Sequence, residues 1–267
     1  GGTAGGAASA ANVYAQAMGI TQDSYSVDGS VAKFTVTGPT SVSVSATGGS
    51  YEGTGSAKSS YALAYGIGKM DAPPYMPGIS YSGTYKLSDV TAVVSATGGT
   101  DNAGSTDPDN PTTGGDVSAV AAGVATGIGS LTAKSLNLTV SAQGGTAAGK
   151  NATIQVVASG LNQANYGSNG PTDTATIRVT GATKLNVTAT GGNTTGTGST
   201  RTAQTSATGL VNNIKEAPDP LIAAMELGAV SGNVTATGGT VNAFKANTTA
   251  AGAVNGYDIV NHDDTIG

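Results

Sequence analysis

The chain has 267 residues, a formal net charge of −5, only 10 % charged residues, and neither Cys nor Trp. These values exclude a disulfide framework and a Cys-based zinc site. Two Arg and a scatter of Lys on an acidic chain offer no basic stripe to nucleic acid, and no apolar run reaches the 18 or so residues of a membrane span.

With so little net charge, disorder is not expected. The abundance of Ala, Ser, Thr, Asn and Val, with 42 Gly, suits strands and tight turns better than helices.

From the N-terminus, Gly1, Gly2 and Thr3 open a phrase that then returns: SVSVSATGG to Gly49, AVVSATGG to Gly99, LTVSAQGG to Gly145, LNVTATGG to Gly192 and GNVTATGG to Gly239. A period near 47 residues along the whole chain is the mark of stacked structural repeats. Residues 1–267 therefore read as one repeat domain with units starting near 1, 48, 98, 144, 191 and 238, the last incomplete. Both ends fall inside a unit, which fits either a portion of a longer repeat protein or a subunit whose open ends meet the next copy.

Within each unit, the strand before the double Gly alternates strictly. Val44, Val94, Val140, Val187 and Val234 share one position, and Ala46, Ala96, Ala142, Ala189 and Ala236 lie two residues on, with Ser, Thr or Gln between and after them. Such a pattern predicts one apolar and one hydroxyl face. A second strand carries Ala two places before a Gly that is followed by an aliphatic: VYAQAMGI, YALAYGI, SAVAAGV, TIQVVASGL and AQTSATGL. A third precedes the double Gly, clearest in AKFTVTG and ATIRVTG and weaker around YKLS and MELG.

So short a unit cannot offset its conformational entropy alone, so neighbours must cover its apolar face. Immunoglobulin-like domains need about 100 residues each, and propeller blades carry aromatic signatures that this chain lacks. The expected fold is all-β, a parallel β-solenoid or β-helix with roughly three short strands per repeat. One wide coil per repeat and two smaller coils both remain open, because NVTATGG and TSATGL look like halves of one motif.

The units SLNLTVSAQGG and KLNVTATGG resemble those of secreted bacterial β-solenoid proteins, the filamentous haemagglutinin-like adhesins and autotransporter passengers. The resemblance implies export to an extracellular or cell-surface setting and an adhesive or scaffold role. Those families usually repeat at shorter intervals.

Few residues suggest chemistry. An insertion after the double Gly at 98 and 99, DNAGSTDPDNPTTGGD, carries Asp101, Asp107, Asp109 and Asp116. Oxygen ligands in such a loop can hold calcium, the one cofactor to consider, although the spacing is not that of an EF-hand and a solvated loop is the simpler reading. Most Tyr lie in the first third, and Tyr51, Tyr61, Tyr65, Tyr75, Tyr81 and Tyr85 form a candidate contact surface for sugars or a neighbouring fibre. His262, in NHDD, lacks the partners of a catalytic His and reads as a loop residue.

The leading expectation is a non-enzymatic structural or adhesive solenoid that polymerises end to end with itself, with extracellular polysaccharide or a host or cell surface as further partners. A stalk or passenger segment of a larger adhesin is the alternative. A carbohydrate-active β-helix enzyme would need paired carboxylates, whereas the acidic residues are dispersed. The hydroxyl columns suit any exposed strand face, and they also resemble the ladders of ice-binding solenoids.

Overall fold

The computed structural model describes residues 3–4, 12–21, 32–51, 59–68, 83–101, 116–126, 129–148, 152–166, 174–195, 201–215, 222–241 and 245–255. The first coil is β1 (Thr3–Ala4), β2 (Val13–Ile20), β3 (Ala32–Thr35) and β4 (Thr40–Thr47). The second is β5 (Ser50–Tyr51), β6 (Ser60–Gly68), β7 (Gly83–Lys86) and β8 (Asp89–Thr97). The third is β9 (Thr100–Asp101), β10 (Val117–Thr126), β11 (Gly129–Ala133) and β12 (Ser135–Gln143). The fourth is β13 (Thr146–Ala147), β14 (Thr153–Tyr166), β15 (Thr174–Val179) and β16 (Thr183–Thr190). The fifth is β17 (Asn193–Thr194), β18 (Thr202–Lys215), β19 (Ile222–Leu227) and β20 (Val230–Thr237), after which β21 (Thr240–Val241) and β22 (Lys245–Asn255) begin a sixth.

Each strand pairs with the strand four places on, building four sheets: A (β1 to β21), B (β2 to β22), C (β3 to β19) and D (β4 to β20). All the pairings are parallel, so the chain is an all-β parallel β-solenoid with one coil per repeat. At about 4.8 Å per coil, the six strands of sheet B span about 24 Å. The two phrases that look like halves of one motif do not stack. TSATGL lies in sheet B and NVTATGG in sheet D, which face each other across the interior. There are four strands per coil where the sequence suggests three, because the two-residue strands of sheet A are too short to display an alternation.

The repeating columns lie in register. Val44, Val94, Val140, Val187 and Val234 pair in succession, as do Ala46, Ala96, Ala142, Ala189 and Ala236. Together with the inward residues of sheets B and C they form one continuous core, in which Leu131, Leu138, Ile154 and Ile177 are fully buried.

Glycine fixes two features of the cross-section. The double Gly makes the corner from sheet D to sheet A, where Gly98 N donates to Gln143 O at 2.7 Å and Gly144 N to Thr190 O at 2.8 Å. A Cβ on Gly98 would lie 2.5 Å from Gly145 N, so the corner backbones stack too closely for any side chain. In sheet B, a Cβ on Gly123 would lie 2.9 Å from Leu138 Cδ1 and 3.1 Å from Val140 Cγ2 of sheet D. Pairing skips Gly123, so the alternation moves by one residue. Ala119, Ala121 and Val124 then face inward, while Ala122 and Ala125 face out.

Connections differ sharply by corner. Sheet D passes to sheet A through two residues in every coil, and sheet C to sheet D through one to four. The links that flank sheet B are the variable ones, from two residues (β10 to β11) to fifteen (β9 to β10).

Candidate functional surface

Period-two alternation places every second residue of sheet D on the outside of the coil. Four outward columns run across the five strands, and of their twenty positions fourteen are Ser or Thr, four are Asn or Gln, one is Lys184 and one is Val93. The central columns are Ser45, Ser95, Ser141, Thr188 and Thr235, and Thr47, Thr97, Gln143, Thr190 and Thr237. In β12, Asn137, Thr139, Ser141 and Gln143 are all exposed. Ser95 Oγ donates to Ser45 Oγ at 3.1 Å, so a hydroxyl can bridge one coil to the next.

The outer face of sheet B differs. Leu63, Tyr65, Ala122 and Ala125 form a second buried cluster there, with Met18, Tyr61 and Val120 packed against it. Val157, Ser159 and Asn162 are also buried. Sheet D is therefore the bare face and sheet B the covered one, a difference that alternation alone does not reveal.

A polar group marks the edge of sheet D. Asp89 accepts from Ser135 Oγ at 2.6 Å and from Lys134 Nζ at 3.2 Å. Those hydrogen bonds, Ser135 first and Lys134 second, hold the exposed Asp89 carboxyl below the ordinary carboxylate range. On sheet C, Arg178 and Glu226 form a second exposed cross-coil pair at 3.2 Å.

The candidate tyrosines separate. Tyr51, Tyr65 and Tyr85 are buried, which corrects their reading as contact residues: the rings fill space inside or against the wall, and Tyr85 packs on Phe34 at 6.5 Å. Tyr61 is half-buried and stacks on the more exposed Tyr14, with ring centroids 4.8 Å apart and planes 11° from parallel. That separation matches the coil spacing, so the stack follows directly from register. Tyr75 and Tyr81 lie outside the described residues.

The acidic candidates separate too. Asp101 is fully buried and shares an inward column with Ala147 and Thr194, whereas Asp116 is exposed. Asp107 and Asp109 lie outside the described residues, as does His262. Among the described residues no group of three or more His, Asp or Glu could hold a metal ion. Asp89, Asp101, Asp116 and Glu226 are the acids of the described residues, and Asp89 and Glu226, in different sheets and three coils apart, do not flank one cleft.

What this arrangement offers chemically is a lattice of neutral donors and acceptors rather than a cleft. Comparison with protein-family models, with curated proteins and with solved structures finds no match to this chain.

Proposed function

We propose that the chain is a non-enzymatic structural and adhesive β-solenoid, a rod that extends by adding coils end to end at a cell surface or in an extracellular fibre. One observation carries the reading: the columns run in register through every coil, and among the described residues the stack ends on unpaired strands. These are β1, β2, β3 and β4 at one end and β19, β20, β21 and β22 at the other. An unpaired parallel edge is a template for another strand, and a head-to-tail contact that does not close yields an open filament. The partner is then a second copy or the next coils of a longer chain, which is the stalk or passenger form of the same reading. Polysaccharide or a host surface would be met along the sides of the rod.

Electron microscopy of the purified chain over a concentration series tests the assembly. Rods should lengthen as concentration rises, and single short rods at every concentration would exclude end-to-end growth. Immunogold labelling of source cells tests the location, with label expected outside the envelope.

A further inference from the structure

The bare face of sheet D has a geometry of its own. The outward groups of its four columns are almost all hydroxyls and amides, which both donate and accept; Lys184 is the one ionisable residue among them, and Asp89 is paired with Lys134 at the edge. A face so nearly neutral gives little to a charged partner.

Register fixes the spacing. Equivalent residues of neighbouring coils lie about 4.8 Å apart, although the Ser95 and Ser45 hydroxyls turn toward each other and bond directly at 3.1 Å. Two oxygens bonded to the same water at about 2.75 Å each, at the tetrahedral angle, lie about 4.5 Å apart. One water can therefore bridge stacked hydroxyls that keep the backbone spacing. Along a strand, outward residues are about 6.6 Å apart, a gap that two hydrogen-bonded waters span. Donors and acceptors on this face thus repeat in two directions at spacings that tetrahedral water spans.

We propose that the outer face of sheet D binds ice, with its hydroxyl columns anchoring a water layer that continues into the crystal. A second copy is the weaker occupant. Five strands of eight or nine residues present roughly 500 Å², below the roughly 800 Å² per partner of a standard stable interface. A carbohydrate partner would favour aromatic platforms, and the four columns contain none. The inference concerns the side of the rod and does not rest on assembly of its ends.

The test measures ice recrystallisation and thermal hysteresis with the whole chain, with Ser141→Tyr at the centre of the face and with Thr132→Tyr on the exposed outer side of sheet C. Circular dichroism melting confirms that both variants fold. The wild type and Thr132→Tyr should keep ice crystals small at concentrations where Ser141→Tyr has lost the effect at least severalfold. Growth in the presence of wild type equal to that with an inert protein of the same mass would overturn the proposal, as would equal losses in the two variants. Sedimentation showing a wild-type dimer that Ser141→Tyr dissociates would assign the face to a second copy instead.

Discussion

At Gly123 the backbone of one sheet meets the side chains of the other, and an added methyl would sit 2.7 Å from Gly160 O and 2.9 Å from Leu138 Cδ1. Gly123→Ala should therefore cost about 1–3 kcal/mol through overpacking, measured as a lowered urea midpoint. The site is recognisable in sequence as the Gly of SAVAAGV, but its cause is not, because a change of alternation phase is invisible until a facing sheet is known. Asp101 shows the opposite failure. In sequence it reads as a loop carboxylate, yet it is fully buried, in an inward column with Ala147 and Thr194. Asp101→Ala should destabilise by about 1–3 kcal/mol, the cost of leaving a buried polar partner unsatisfied, and chemical denaturation measures it. For the exposed Asp89, the effect is on titration. Because its folded pKa is lowered, its small contribution is complete above the ordinary carboxylate pKa and disappears as pH falls through the lowered value. Carbon-detected NMR should show the Asp89 pKa rising in Ser135→Ala, since that hydroxyl is the largest cause of the shift.

Sheet D is the most legible element. Burial of one face forces Val140 and Ala142 inward and Ser141 and Gln143 outward, so the pattern survives in every unit. Sheet A is the least legible, since Thr100 and Asp101 alone cannot show a period. Sheet B misleads for a third reason: with both faces largely buried, Tyr65 and Leu63 are apolar on the outside as well as the inside. Period alone does not distinguish a Tyr on a covered outer face from one on an open face. The same contrast sets the energetics of single columns. Leu138, fully buried at mid-stack, should cost about 2–5 kcal/mol when changed to Ala. Val42, half-buried in the first coil, should cost distinctly less in the same denaturation assay.

A stack in which each coil touches only its neighbours behaves as a one-dimensional array, with stability set by the coils and the interfaces between them. Native-state hydrogen exchange should accordingly be slowest for amides of β12 and faster towards β4 and β20. Burial declines in the same order, from alternately buried and exposed in β12 to almost wholly exposed in β20. Charge is divided across the molecule as well. The described residues include eight basic and four acidic side chains, leaving three basic and twelve acidic ones to the remaining segments. Attraction for cations or basic partners therefore belongs to those segments, and the neutral side of the rod is left to uncharged contacts.

The connection from β10 to β11 takes two residues where the one from β6 to β7 takes fourteen, although both leave sheet B at the same corner and rejoin sheet C in the same register. Length at that position is thus a free variable of the design. A foreign peptide spliced between Gly127 and Ile128 should ride as cargo on an unchanged scaffold. Grafts at successive coils would be displayed at intervals of about 4.8 Å, a molecular ruler whose graduations are set by the backbone itself.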